Sequence, residues 1–203
     1  MDYLAFYWTL PVNWAGFTTL PQDADQAAKA SRTIRYQVER VRRWAKDEKA
    51  ILRREVVFMD IRPDRGTEAI QSDIAKLLKE ARKTNAEVVL VDFAQAFGWR
   101  PHGPLFDLIR DAPDCVLLPP EPTLIDGKWW NPVEHFRAWR EIEQAHQMEK
   151  YDIKSAALNT IAGLKQDGVS YDAVAIQLNE MGMKTVNGRA WTGDNVRKFM
   201  ALG

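Results

Sequence analysis

Near the C-terminus four cations, Lys184, Arg189, Arg197 and Lys198, share fifteen residues with a single carboxylate, Asp194. Ammonium and guanidinium groups at this density suit nucleic-acid phosphates, and the competing account is a solvated face. Thr192 and Asn195 lie among them, and an asparagine amide can pair with adenine in the major groove. The pattern nominates Lys184, Thr185, Arg189, Thr192, Asn195, Arg197 and Lys198 as contacts to double-stranded DNA. In this reading Thr192 and Asn195 face base edges, and the cations hold phosphates. Local charge must carry such binding. The chain has 28 Lys and Arg against 28 Asp and Glu, and the region from Tyr151 onward has six basic residues against five acidic ones.

Other chemistry is poorly supplied. Cys115 is the single cysteine, which excludes an internal disulfide and a cysteine zinc cluster; it reads as a small core residue. His135 and His146 are eleven residues apart on one predicted helix, a separation of roughly 16 Å that prevents them from sharing an ion. His102 stands alone in a proline-flanked loop. No metal and no cofactor is expected.

The elements that position these groups follow from periodicity. Apolar runs over 4–9, 54–61, 87–92 and 115–118 read as strands, with VVLV at 88–91 typical of a parallel sheet covered on both faces. Between the first two, a long loop over 11–25 leads to a helix over 27–46. Its Ile34, Val38, Val41 and Ala45 form one stripe, and Arg32, Arg35, Arg42, Arg43 and Lys46 form a basic one. Thr67 can cap a helix bearing Ile70, Ile74, Leu77, Leu78 and Ala81, and a short helix covers 105–110. Alternating strands and helices predict an α/β, three-layer sandwich with a mainly parallel sheet over 1–130.

A proline-rich connection over 119–130, turning at Asp126-Gly127, reaches Asn131-Pro132. There Asn131 caps a long helix that begins at Pro132, with Glu134 placed for a capping box, and runs to about Lys150. The region 131–152 is expected to connect domains and to form a homodimer. Over 153–203 the pattern changes. A helix over 153–166, a turn at Asp167-Gly168-Val169, a second helix capped by Ser170, a tight turn at Asn187-Gly188 and a third helix capped by Thr192 give a small all-α helix-turn-helix domain. Val196 and Phe199 face its core. Of eight tryptophans, Trp8, Trp44 and Trp139 are expected inside, while Trp99, Trp129 and Trp130 lie near loops and could meet a protein partner. No apolar run is long enough for a membrane helix, and the N-terminus lacks an export signal, so a cytoplasmic, nucleoid-associated protein is expected.

Gly168, Ser170-Tyr171, Lys184-Thr185, Gly188-Arg189, Trp191-Thr192 and Val196-Arg197 together resemble the DNA-binding "recombinase" domain of serine recombinases. More faintly, the N-terminal region resembles that family's resolvase-like catalytic domain. Thr33-Ile34-Arg35-Tyr36-Gln37 stands where the family has Ser-Leu-x-x-Gln, with Val41 and Trp44-Ala45 following. Asp60 ends a strand before a glycine turn, and Glu121 with Asp126-Gly127 matches the approach to the family's dimerisation helix.

The resemblance fails at the chemistry. The family's first strand ends in Tyr-x-Arg-x-Ser, whereas this chain reads Tyr7-Trp8-Thr9-Leu10-Pro11, and its first serine is Ser31. The family's Leu-Asp-Arg-Leu-x-Arg stretch corresponds to residues 92–99 here, where Gln95 and Ala96 supply no guanidinium. Each lost electrostatic contact removes on the order of 3 kcal/mol of transition-state stabilisation. The resemblance therefore implies a catalytically inactive homologue with no catalytic residues, serving as a transcriptional regulator or architectural factor. Two rivals stay open. One is an active recombinase or nuclease using Thr9, Thr18, Thr19 or Tyr7; the other is a protein-interaction adaptor.

Overall fold

A computed structural model describes residues 1–95, 102–110, 112–165 and 168–202. The chain divides into two compact units, Met1–Arg137 and a second from Ala138 onward. In the first, strands β1 (Asp2–Thr9), β2 (Ile51–Met59), β3 (Glu87–Val91) and β4 (Cys115–Leu118) form one sheet in the order β2-β1-β3-β4. All three pairings are parallel. Leu4 to Trp8 and Val88 to Val91 are at most 2 % exposed, the burial of strands covered on both faces. The expected α/β class with a parallel sheet therefore holds.

Helices α1 (Ala24–Ala30), α2 (Arg32–Asp47), α3 (Ala69–Thr84) and α4 (Gly103–Ile109) supply the cover. The five apolar positions of α3 are all buried, as its period requires. The single helix expected over 27–46 is two, because Ser31 is extended (φ −137°, ψ 121°), ends α1, and accepts from Ile34 N to cap α2. The expected loop over 11–25 holds a single 3₁₀ turn at Asn13–Ala15 and the first residues of α1. Strand β2 begins and ends earlier than its apolar run suggested, since it pairs along β1 from Asp2↔Ile51 to Thr9↔Met59. Thr67 does lend its hydroxyl to Ala69 N, but α3 starts after Glu68, which makes no side-chain cap.

The connection over 119–130 is a hairpin. Strands β5 (Thr123–Ile125) and β6 (Lys128–Trp130) pair antiparallel, and both turn residues, Asp126 and Gly127, have positive φ. Such a two-residue turn matches the twist of its flanking strands, and glycine or aspartate bears it at low cost. Two residues of the basic stripe of α2, Arg35 and Arg43, and Arg40 beside it hold this connection, while Arg32 and Lys46 are exposed. Arg35 pairs with Asp126, Arg40 with Glu121 and Arg43 with the Leu124 carbonyl, while Tyr36 stacks on Trp130 with ring centroids 4.4 Å apart.

Helix α5 (Pro132–Leu164) runs unbroken for 33 residues, where two helices over 132–150 and 153–166 were expected. Asn131 caps it, accepting from Val133 N at 3.0 Å. No glycine or proline interrupts residues 133–162, so nothing in the backbone stops it. The last turns of α5 with α6 (Tyr171–Glu180) and α7 (Gly193–Leu202) build the second unit around Ala157, Ile161, Val174, Ala175, Leu178, Trp191 and Val196. Phe199 packs against that cluster, and Ser170 caps α6 as expected.

The chain entering α7 is held by Asn179 of α6. Its Oδ1 accepts from Trp191 N and its Nδ2 donates to Trp191 O, both at 2.9 Å. Asn179→Ala is expected to lower this unit's stability by about 1–3 kcal/mol, because both Trp191 groups lose their partner. Thermal unfolding of the full chain, with hydrogen exchange at α6 and α7, measures it; unchanged exchange there would refute the clamp.

Candidate functional site

In the second unit the nominated residues divide by what already holds them. Thr185 N donates to Arg189 O (2.9 Å), and Arg189 N donates to Thr185 Oγ1 (3.0 Å), closing the turn at Gly188, whose φ is 73°. No strand forms there. Lys184 and Arg189 are exposed, and no ion pair among the described residues engages them.

At the start of α7, Thr192 and Asn195 cap each other. Asn195 N donates to Thr192 Oγ1, Thr192 N donates to Asn195 Oδ1, and Asn195 Nδ2 donates to the Ala190 carbonyl. Both ends of the Asn195 amide are thus engaged within the chain, so an adenine would have to displace the cap. Farther along, Arg197 Nη2 lies 2.8 Å from Asp194 Oδ1, and Lys198 Nζ 2.7 Å from Asp194 Oδ2. The two cations hold the Asp194 carboxyl below the usual carboxylate range, through the Lys198 bond first and the Arg197 bond second. Gly193 carries no side chain because a β-carbon there would overlap the Asp172 carboxylate. Asp172 in the first turn of α6 and Asp194 therefore both stand by the opening of α7.

In the first unit the C-terminal strand ends matter, since an open parallel sheet binds ligands beyond them where the strand order reverses. Here β1 and β3 pair only from Tyr3↔Glu87 to Ala5↔Val89, so they part before either ends. Pro11 is buried where the resemblance places a nucleophile. Of the alternative hydroxyls, those of Tyr7 and Thr9 are engaged within the chain. Thr9 is buried, with Oγ1 near its neighbour's carbonyl, and Tyr7 is wholly buried, donating to Glu55 Oε1 at 2.8 Å. Burial first, and then the Glu55 charge, push the Tyr7 phenol well above its ordinary value. Arg42 grips the same carboxylate with two nitrogens and reaches Asp25 with a third. Thr18 and Thr19 are exposed.

Asp60 and His102 form a pair at these strand ends, each about 2 % exposed or less. Asp60 Oδ2 accepts from His102 Nε2 (2.8 Å) and from Thr67 N (2.9 Å), and Oδ1 accepts from Ile61 N and the Thr67 hydroxyl. Burial alone would raise the Asp60 carboxyl; the Thr67 bonds, then His102 and Ile61 N, outweigh it and hold it below its ordinary value. His102 Nδ1 accepts from Leu105 N and caps α4, which leaves the ring proton on Nε2. A β-carbon at Gly66 would overlap that ring, so glycine is needed by close approach. With both ring nitrogens engaged, His102 fastens the turn after β2 to α4 and has no nitrogen left to act as a base.

Of the remaining nominations, Trp8 is buried, Trp44 and Trp139 are half-buried, Trp130 packs on Tyr36, and Trp129 is 72 % exposed. Ala96, Trp99, Gln166 and Asp167 lie outside the described residues. Cys115 is partly buried, and burial pushes its thiol up to about 11. Among the described residues no three His, Cys, Asp or Glu side chains converge as metal ligands, and no helix is long and apolar enough to cross a membrane. Comparison with known protein families, with characterised proteins and with solved structures finds no match to this chain.

Proposed function

We propose that the chain is a sequence-specific double-stranded-DNA-binding protein, derived from serine recombinases and lacking their strand-transfer chemistry, acting as a transcriptional regulator or architectural factor on the nucleoid. One observation carries this reading. A compact three-helix unit leaves Lys184 and Arg189 exposed on a turn stiffened by Thr185, beside α7 with its polar outer face. In this reading the end of α5 and α6 are the two helices of a helix-turn-helix, the 184–189 turn belongs to the wing that follows them, and α7 enters the major groove.

A homodimer follows from the same reading. Met148 and Tyr151, one turn apart at the end of the 132–150 stretch of α5 and just beyond it, are exposed on one face, and a second copy would cover them. Two reading units would then favour a paired site. Absence of catalysis is supported by Pro11 at the nucleophile's position and by the buried, hydrogen-bonded state of Tyr7 and Thr9.

The test is binding to labelled duplexes across a salt series. Replacing Lys184 and Arg189 together by alanine is expected to weaken binding evenly on all sequences. It should flatten the dependence of log K on log salt by about 2, with a loss on the order of tenfold or more near 0.1 M salt. An unchanged slope removes these residues from the interface. A covalent protein–DNA adduct on supercoiled plasmid would replace the reading with phosphoryl transfer.

A further inference from the structure

We infer that Arg197 is the base-reading side chain of this surface, selecting guanine, and that Asp194 positions it; the inference rests on the DNA reading above. Along α7, Gly193, Val196 and Phe199 face inward, while Asp194, Arg197, Lys198 and Ala201 recur at i, i+3, i+4 and i+7 and are exposed. That stripe is what α7 would present to a groove. The side chains that sequence spacing points to for base contact, Thr192 and Asn195, are engaged in capping each other.

A helix face built only to grip phosphate would not carry a carboxylate between its cations. Asp194 binds both, one oxygen to each, and Asp172 adds a second negative group beside Gly193. The opening of α7 is thus a poor phosphate site. The same arrangement suits a base edge. Asp194 takes one guanidinium nitrogen of Arg197, leaving other N–H groups of the planar fork to donate to guanine O6 and N7. Holding one edge in the free protein also reduces the rotamer freedom lost on binding. Lys198, a compact charge without a fork, cannot make that two-point contact.

The experiment selects duplexes from a randomised pool with the full-length protein, then measures affinity on the selected duplex, its single-base variants and an unrelated duplex, over a salt series. Wild type is expected to require guanine at a fixed position. Arg197→Lys should keep the salt slope yet lose that preference by about tenfold or more. Asp194→Asn should reduce the guanine preference without weakening binding to the unrelated duplex, and Asp194→Glu should restore part of it. The inference is overturned if Arg197→Lys keeps the preference, or if Arg197→Ala weakens all sequences equally while the slope falls by about one. Wild type binding no duplex at low salt would remove the DNA reading itself, and this inference with it.

Discussion

His102→Leu is expected to lower the unfolding free energy of the α/β unit by about 3 kcal/mol. About 2 comes from the charge-assisted bond to buried Asp60 and about 1 from the lost cap on Leu105 N. For a unit of this size the shift in midpoint is roughly 10 °C. Leucine matches the ring poorly but adds no charge, so the loss reads the polar contacts more than the volume. Urea and thermal unfolding of the full chain measure it; a cost under about 1 kcal/mol would mean that the pair is not what joins the turn after β2 to α4. Acid supplies an independent check. Because the folded chain holds the Asp60 carboxyl below its ordinary value, the unfolded chain takes up that proton first as pH falls. The contribution is complete above the ordinary carboxylate range, about pH 4, and is lost as pH drops through the lowered folded value. Asp60→Asn should flatten that acid limb.

Local signals made much of the fold legible, and the misreadings share a cause. The α3 stripe and the VVLV strand declare themselves within a few residues, and every one of those positions is buried. Ser31 was invisible as a break because the apolar period carries on through it; Ala27 of α1 and Ile34 of α2 are both fully buried. Residues 133–162 contain no helix breaker, yet a change in character near Tyr151 suggested one, and the continuous α5 follows the backbone instead. The three-residue strands of the β5–β6 hairpin are too short to show a period, and only its Asp-Gly turn was readable.

The candidate sites were legible in residue type and less so in role. Lys184 and Arg189 stand exposed where their spacing placed them. The sequence points to Asn195 as a base contact and to Thr192 as a helix cap, and the local hydrogen bonds make Asn195 the other half of that cap. The Asp60–His102 pair left almost no signal, since its members are 42 residues apart and join only through the crossover between β2 and β3. Asp60 at a strand end before a glycine turn was the half that could be noticed.

Gln37→Leu is expected to cost the α/β unit about 2–5 kcal/mol. The reason lies in the sheet. Thr9 O accepts from Asp60 N on the β2 side, and neighbouring residues of a strand alternate, so the Trp8 N–H and C=O face the β3 side. There the ladder has already ended at Ala5↔Val89, which leaves two buried backbone groups without a strand to meet them. Gln37, wholly buried on α2, takes the place of that strand. Its Oε1 accepts from Trp8 N at 3.1 Å, its Nε2 donates to Trp8 O at 2.8 Å, and the Thr33 carbonyl takes the second amide proton. Leucine fills similar space and offers no partner, so each Trp8 group bears about 1–3 kcal/mol of unmet desolvation. Gln37→Glu separates the two bonds, because a carboxylate still accepts from Trp8 N but opposes Trp8 O; its stability should recover as pH falls and the added carboxyl gains a proton. Urea unfolding of both variants at two pH values decides the matter. A leucine variant as stable as wild type would mean that Trp8 finds other partners. In that case the gap between β1 and β3 could open towards a ligand, and the α/β unit would no longer read as a closed scaffold.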